Sequence, residues 1–335
     1  MKGKRSPEQW LRGGAWVVLA ASAGLALVSC QGGTGPAPVG AAQVQTPAPR
    51  TEDPVQAILR EERQQRPVPT AGQTLHGAFF YAWGDSAVSL PSLRSARDQM
   101  GINTAVIVDE WDNGNAALSV KSAQGLGLYT VVQLTPGCLV EPDKPLPDVN
   151  RAAEGIRQLA GLKVQGVILV HESGAEHPQA RAYVAPLIAL CGQLGVEPVF
   201  LNSPELAGQL GASCWQEFYL NLWDAKRNEW QVRTYEQFRS HLQGRLGEMA
   251  RKPRRPLDAM LCEFGGFRDF EEKRANWSWP TPSAERLTMA LRELGPWRDH
   301  LVFWLWTADS NFETLSDLPQ QATLIRQAWS VPATP

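Results

Sequence analysis

From Thr74 onward, short apolar runs alternate with longer segments of helical character. Most of the runs are rich in Val, Ile, Leu, Phe or Tyr at consecutive positions, which is typical of strands buried on both faces of a parallel sheet. The predicted strands are Leu75–Ala82, Asn103–Asp109, Leu128–Leu134, Gln165–His171, Val196–Leu201, Trp215–Leu222, Leu257–Cys262 and Leu301–Leu305. The predicted helices are Leu90–Met100, Ala116–Gly125, Val149–Leu162, Gln179–Gly195, Pro204–Leu210, Tyr235–Arg251, Ser283–Leu294 and Leu318–Trp329.

This order predicts the fold class. Eight strand–helix units over roughly 260 residues match a (β/α)8 barrel, whereas a doubly wound sheet usually has fewer strands and a Gly-rich phosphate turn after the first one. We therefore predict an α/β protein with a single (β/α)8 TIM barrel over residues 73–331. Residues 214–230 mix aromatic and polar side chains, so part of the sixth unit is open to assignment as strand or loop.

The N-terminal residues have the pattern of a secretory signal. Four basic residues precede an apolar stretch over residues 15–28, which is too short to span a bilayer comfortably. The sequence Leu27-Val28-Ser29-Cys30 resembles the lipobox of bacterial lipoproteins, in which the cysteine is lipidated and becomes the mature N-terminus. We predict a signal peptide over residues 1–29, a lipid on Cys30 and a location on the extracytoplasmic side of the cell envelope. An ordinary signal peptide with an unmodified Cys30 is the alternative.

Residues 30–72 are rich in Pro, Gly and Ala and contain few large apolar side chains. Such a composition buries too little apolar surface to offset the entropy of ordering the chain. The segment is therefore predicted to be a flexible tether between the membrane and the barrel.

Composition excludes some partners. The net charge is −2 and the basic residues are dispersed, so no nucleic-acid partner is expected. The basic run over residues 251–255 is interpreted as a solvated turn before the seventh strand.

Motifs for metals and cofactors are missing from the sequence as well. Cysteines 138, 191, 214 and 262 show neither CxxC nor another metal-type spacing, and they are open to assignment as disulfides or as buried thiols. The sequence contains no G-x-S-x-G motif and no P-loop. We predict neither a metal nor a cofactor.

Two of the predicted strands end in glutamate. Glu172 follows the fourth strand, and Glu263 follows the seventh directly before a Gly-Gly turn. Because the C-terminal ends of barrel strands converge on one face, these carboxylates are expected to share a pocket. A carboxylate pair suits the cleavage of a glycosidic bond, in which one acid protonates the departing oxygen and an ionised partner attacks the anomeric carbon.

The residues at these strand ends resemble the clan A retaining glycoside hydrolases, which are (β/α)8 barrels. The pair His171-Glu172 and the segment Glu263-Phe264-Gly265 are similar to the β-mannanase branch of that clan. The resemblance implies that Glu172 is the acid/base, that Glu263 is the nucleophile and that Trp306, at the end of strand eight, lies under the sugar. Ser173-Gly174 follows Glu172 where that branch has a longer aromatic-bearing stretch, so the substrate stays open.

Further side chains at the same barrel face are candidates for sugar binding. Aromatic rings stack on the C–H faces of pyranose rings, so tryptophans at this face are candidates for sugar contacts. Three other tryptophans are assigned to packing instead, namely Trp297, Trp304 and Trp329. Tyr219 is a candidate for a hydrogen bond to the nucleophile, and His76 begins strand one, so it is assigned a structural role. The remaining candidates for sugar contacts are Trp83, Trp111, Trp277, His171, Asp109, Glu110 and Asn202.

Two classes of function remain open. In the first, the chain is a membrane-anchored retaining glycosidase acting on a polysaccharide or oligosaccharide. In the second, it is a carbohydrate-binding or envelope lipoprotein that kept the barrel without the chemistry. A barrel hydrolase with other catalytic positions is a third, less favoured interpretation. A carbohydrate partner is common to these readings, and the sequence does not specify an oligomeric state.

Overall fold

The computed structural model describes residues 74–81, 87–110, 114–135, 139–142, 144–171, 174–224, 226–227, 229–264, 266–267, 280–307 and 312–330. Within these ranges, eight parallel strands close into a barrel, and an α-helix follows each of them. The strands are β1 (Leu75–Tyr81), β2 (Thr104–Glu110), β3 (Tyr129–Thr135), β4 (Gly166–Val170), β5 (Glu197–Leu201), β6 (Ser213–Tyr219), β7 (Ala259–Glu263) and β8 (His300–Thr307). The helices are α1 (Leu90–Met100), α2 (Asn115–Gly125), α3 (Val149–Gly161), α4 (Ala180–Leu194), α5 (Pro204–Leu210), α6 (Tyr235–Ala250), α7 (Ala284–Glu293) and α8 (Pro319–Ser330).

The predicted (β/α)8 TIM barrel is confirmed. Each strand pairs in parallel with its neighbours in chain order, and β1 closes the ring by pairing with β8. The predicted signal peptide and tether, including Cys30, lie outside the described residues, so the proposed segment boundaries stay predictions.

Two hydrophobic cores explain why the strands are apolar on both faces. The outer core fills the space between the strands and the helices, and the inner core fills the barrel. The inner core consists of Leu75, Phe79, Val106, Val108, Val131, Ile168, Val199, Leu201, Trp215, Ala259, Leu261 and Val302. Because alternate residues of a strand point to opposite faces, this set identifies the inward positions of the strands that carry it.

Local signals fix several helix boundaries. The Ser89 hydroxyl accepts the Ser92 N–H at the start of α1, and Gly101 ends that helix with a φ of 82°. At the start of α6, Thr234 and Gln237 form a reciprocal capping box. Such caps satisfy N–H groups that the first turn of a helix leaves unpaired.

The sixth unit differs from its prediction. Strand β6 ends at Tyr219, three residues before the predicted end, and begins at Ser213. The chain then forms a short antiparallel hairpin from Asn221–Asp224 and Glu229–Val232. The end of β6 and most of the hairpin fall within residues 214–230, the region that the sequence left open.

The interpretation of residues 251–255 as a solvated turn holds for Arg251, Pro253 and Arg254, which are exposed, but not for Lys252. The side chains of Lys252 and Asp258 are 3% and 1% exposed, and they form an ion pair with an N–O distance of 2.6 Å. Asp258 also accepts the backbone N–H groups of Cys214 at 2.8 Å and Arg255 at 2.7 Å. Arg254 lies over the ring of Trp297, 3.9 Å from its centroid. This run therefore ties the chain before β7 to the start of β6.

Three cysteines, Cys191, Cys214 and Cys262, are buried free thiols. Cys138 lies outside the described residues. Along the described stretches of chain, we find no helix with the length and apolar character needed to cross a membrane.

Candidate active site

Glu263 lies at the C-terminal end of β7 between two aromatic neighbours. In the strand register it is opposite Tyr219 of β6 and opposite Trp304 of β8. Ala259 and Leu261 of the same strand belong to the inner core, so the alternation places Glu263 on the inner face as well. The side chain is partly exposed. Glu263 therefore lies at the mouth of the barrel, and its catalytic role stays a prediction.

A second glutamate, Glu217, lies on the neighbouring strand one inward position deeper. It is opposite Leu261 in the register and is 2% exposed. The Tyr219 hydroxyl donates a hydrogen bond to Glu217 Oε2 at 2.5 Å, and the Asn202 side-chain amide donates to the same oxygen. A buried carboxylate is costly unless donors compensate for its lost hydration, and these two bonds do so.

The two carboxyls influence each other. Burial raises the pKa of Glu263 well above its ordinary value, and repulsion from Glu217 raises this pKa further. Burial also raises the pKa of Glu217, whereas the bonds from Tyr219 and Asn202 and the charge of Arg245 act in the opposite direction. Both pKa values are therefore displaced upward, and the compensating contacts act on Glu217.

Asn202, predicted to contact sugar, follows β5 and holds Glu217. Its backbone has a φ of 52°, in the left-handed region that asparagine tolerates better than most residues. The Asn202 N–H donates to the Trp215 carbonyl at 2.9 Å, and Asn202 Oδ1 accepts the Glu217 N–H at 2.7 Å. These bonds fix the amide toward the Glu217 carboxylate.

Tyr219 was predicted to bond the nucleophile, and the structure gives its hydroxyl the bond to Glu217 described above. Its backbone N–H donates to His241 Nε2 of α6 at 3.2 Å. Burial, followed by the charges of Arg233 and Arg245, lowers the pKa of His241 to about 3. A neutral His241 is consistent with its role as an acceptor.

Trp304 and Tyr81 form an aromatic corner beside Glu263. The Trp304 indole N–H donates to the Tyr81 hydroxyl at 2.9 Å, and the rings meet edge to face with centroids 6.4 Å apart. Both side chains are partly exposed and pack against the inner core. Trp304 was assigned to packing, and it does pack against the inner core, but it is also partly exposed beside Glu263.

Trp306 does not occupy the open position predicted for it. Its side chain is 1% exposed and belongs to the outer core. The reason is an irregular register, because Ala78 pairs with Phe303 while Phe80 pairs with Thr307, so β8 advances four residues where β1 advances two. Such a bulge changes which side chains face the barrel axis.

The other assignments to packing agree with the structure. Trp297 and Trp329 pack against the outer core. Trp329 stacks on His76 with ring centroids 4.3 Å apart, at the N-terminal end of the barrel. His76 therefore has the structural environment predicted for it.

His171 directly follows β4 and is partly exposed. Its N–H donates to the Val140 carbonyl at 3.3 Å, and its own carbonyl accepts the Gly174 N–H at 2.5 Å. Loss of hydration, followed by the charge of Lys144, lowers the pKa of His171 to about 4. A β-carbon on Gly174 would lie 2.0 Å from the Val140 carbonyl oxygen, so this turn requires glycine. The chain on either side of Glu172 is thereby fixed.

Several predicted site residues cannot be placed. Asp109 and Glu110 end β2, but their side chains are outside the described part of the structure. The predicted residues that fall entirely outside the described ranges are Glu172, Trp83, Trp111 and Trp277. Within the described ranges, no group of three or more His, Cys, Asp or Glu side chains is arranged to hold a metal ion.

Glu217 is the site residue that sequence reasoning missed. Trp215, Glu217 and Tyr219 occupy alternate positions of one strand and share the inner face. The same alternation could have identified Glu217, but the mixed composition of this segment obscured the strand. The structure thus brings Glu217, Tyr219, Asn202, Glu263 and Trp304 together.

Neither a protein-family model nor a curated protein matches the sequence. Among solved structures, a GH113 beta-1,4-mannanase is similar over 78% of this chain and 100% of its own, with a TM-score of 0.51 and 11% sequence identity. A structure of ScGas2 is similar over 79% of this chain and 66% of its own, with a TM-score of 0.51 and 14% identity. At these identities the similarity establishes the barrel fold that this chain shares with them.

Proposed function

We propose that this chain is a retaining glycoside hydrolase with Glu263 as nucleophile and Glu172 as acid/base. The observation that carries the proposal is the position of Glu263, an inward carboxyl at the end of β7 with Trp304 beside it. A carboxyl at the end of a barrel strand whose pKa is raised well above its ordinary value is characteristic of catalytic sites.

The proposed reaction has two displacements. In the first, the Glu263 carboxylate attacks the anomeric carbon while the glycosidic C–O bond breaks and Glu172 donates its proton to the departing oxygen. In the second, Glu172 takes a proton from water, whose oxygen attacks the anomeric carbon and releases Glu263. The product keeps the anomeric configuration of the substrate.

The proposed substrate is a neutral polysaccharide or oligosaccharide. The Trp304 and Tyr81 rings offer apolar faces and polar groups beside Glu263, a combination that suits pyranose rings. The resemblance of His171-Glu172 to β-mannanases and the fold shared with a beta-1,4-mannanase make β-1,4-mannan the first substrate to test.

The test compares the purified wild-type protein with Glu263→Gln and Glu172→Gln on defined glycans and aryl glycosides. Glu263→Gln should abolish turnover on every substrate, since no glycosyl-enzyme can form. In Glu172→Gln the rate on substrates with poor leaving groups should fall roughly 10²–10⁴-fold. Activated aryl glycosides should still form the glycosyl-enzyme. Added azide should restore turnover by releasing the sugar as a glycosyl azide of retained configuration. Full activity of both variants would overturn the assignment.

The second candidate is a carbohydrate-binding protein without turnover. The replacement of an aromatic-bearing stretch by Ser173-Gly174 after Glu172 favours it. Binding of a glycan by calorimetry together with no hydrolysis by the wild-type protein would establish this alternative.

The lipobox-like sequence before Cys30 supports attachment to the cell envelope by lipid. More than one acyl chain is needed, because a single chain gives only marginal membrane binding. Mass spectrometry of the native N-terminus tests this directly. Replacement of Cys30 should release the protein from the membrane fraction, and an unmodified N-terminus at or beyond Cys30 would contradict the anchor.

A further inference from the structure

Glu217 and Glu263 occupy successive inward positions on neighbouring strands. Glu217 is opposite Leu261, and two residues later Tyr219 is opposite Glu263. Because paired strands lie about 4.8 Å apart, the two carboxyls belong to one polar layer between the inner core and the barrel mouth. Within this layer, Glu217 lies on the side of the inner core and Glu263 lies on the side of the barrel mouth.

The hydrogen-bond donors of this layer are distributed unequally. Tyr219 and Asn202 both donate to Glu217 Oε2, and the Glu217 backbone is held by Asn202 Oδ1. None of the described residues donates a hydrogen bond to the Glu263 carboxyl. Donors stabilise the ionised form of the carboxyl that they contact.

The groups that face this layer from other elements reinforce the asymmetry. On α6, Arg245 favours the anion of Glu217, and His241 is neutral because it is buried and accepts the Tyr219 N–H. On β8, the Trp304 indole N–H donates to the Tyr81 hydroxyl of β1. Cys262 of β7 lies next to Glu263 in sequence but faces the outer core, where burial and the charge of Glu263 raise its pKa well above its ordinary value, so this thiol is neutral.

We propose that Glu217 is a positioning residue that keeps the shared proton of the Glu217–Glu263 pair on Glu263. Glu217 is the fixed anion of the pair, held by Tyr219 and Asn202, and Glu263 is the proton carrier at the mouth. Repulsion between these two carboxyls on neighbouring strands opposes the ionisation of both, so the pair holds one proton more readily than two separate carboxyls would.

The consequence for the reaction rests on the proposed function. Glu263 must lose its proton before it can attack an anomeric carbon, so Glu217 sets the pH above which Glu263 becomes a nucleophile. Removing the charge of Glu217 should allow Glu263 to ionise at lower pH. The acidic limb of the activity profile should then move to lower pH.

The decisive experiment needs no substrate. The full-length protein is labelled with ¹³C at the glutamate carboxyl carbons, and the Glu263 resonance, assigned with Glu263→Gln, is titrated in the wild type, Glu217→Gln and Tyr219→Phe. In Glu217→Gln the midpoint of Glu263 should fall by about one pH unit or more, a tenfold change in its ionisation. Glu285→Gln, the same change at an exposed position of α7, is the matched control and should leave the midpoint in place.

Tyr219→Phe provides an independent arm in case Glu217→Gln does not fold. Loss of the hydroxyl removes a donor from Glu217, so the Glu217 midpoint should rise and the Glu263 midpoint should fall. Unchanged Glu263 midpoints in the folded variants would overturn the proposal. Failure of the glycosidase assignment would appear instead as absent turnover with the titration shifts intact, so the two failures are distinguishable.

Discussion

Asn202 holds Glu217 at both its backbone and its side chain. Asn202 Oδ1 accepts the Glu217 N–H at 2.7 Å, and the Asn202 amide donates to the Glu217 carboxylate. The end of β5 is thereby joined to the middle of β6 on the inner face of the barrel. Stability and proton affinity at the site depend on the same side chain.

Replacing Asn202 should therefore destabilise the fold. Asn202→Gly should lower the free energy of unfolding by about 1–3 kcal/mol, the cost of leaving buried polar groups unpaired. Glycine tolerates the φ of 52° at this position, so the loss measured by urea unfolding reports the hydrogen bonds rather than backbone strain. Asn150→Gly at an exposed position of α3 measures the cost of a glycine alone. A smaller loss at Asn202 than at Asn150 would contradict the role given to these bonds.

The Lys252–Asp258 ion pair should be among the most sensitive points of the molecule. Asp258→Ala leaves a buried ammonium and two backbone N–H groups without their acceptor. A loss of roughly 3–5 kcal/mol in unfolding free energy is expected. The exposed pair Lys144–Glu141 offers the comparison, where Glu141→Ala should cost at most about 1 kcal/mol. Similar losses for the two pairs in denaturant melts would be inconsistent with the buried network.

Trp304 and Trp306 should differ in what they lose on substitution. Trp306→Ala removes a nearly fully buried side chain from the outer core, and about 3–5 kcal/mol of stability should be lost. Trp304→Ala should cost less stability than Trp306→Ala, because Trp304 is partly exposed. It should weaken the binding of an oligosaccharide that occupies the mouth of the barrel. Thermal melts and calorimetric titrations measure the two effects separately. Weaker glycan binding by a folded Trp306 variant, with Trp304→Ala unaffected, would restore the assignment made from the sequence.

His76 should make the protein less stable in mild acid. Burial, followed by the charges of His300 and Arg298, lowers the pKa of His76 to about 4 in the folded protein, whereas the unfolded value is about 6.5. The unfolded chain thus binds more protons in this window. The contribution of His76 to the free energy of unfolding is fully present above about pH 6.5 and amounts to at most roughly 3 kcal/mol. This contribution is lost as the pH falls from about 6.5 toward 4.

Unfolding free energies of the wild type and His76→Gln, measured across pH 4–7, isolate this contribution. The difference between the two proteins should shrink as the pH falls through this window. A difference that does not change with pH would show that His76 does not titrate there. The charge of His300 acts on His76 only in the wild type, so this repulsion is part of the difference that the comparison measures.

The fold was predictable because its signals are local. Each strand of the barrel is covered on both faces, so it appears in the sequence as a continuous apolar run, and caps such as Ser89 and Thr234 mark where helices begin. The position of Glu263 followed from the same reasoning, since a charge at the end of such a run is placed where the strand meets the barrel mouth.

The parts that sequence reasoning missed depend on contacts between distant segments. Counting alternate residues fails at the bulge of β8, so the inward tryptophan is Trp304 and the buried one is Trp306. Burial of the Lys252 ammonium is possible because it forms an ion pair with Asp258. Burial of the Glu217 carboxylate is possible because Asn202 and Tyr219 donate hydrogen bonds to it. Neither partnership is visible in the spacing of residues along the chain.

The close approach of Gly174 to Val140 also provides a means of recognising relatives of this protein. A homologue that retains this turn must retain glycine two positions after its counterpart of Glu172, because any other side chain would collide with the main chain at Val140. Substitution at that position in a candidate relative would show that the loop after its fourth strand follows another path. One position of the alignment would thus separate chains that share this turn after the fourth strand from chains that share only the barrel.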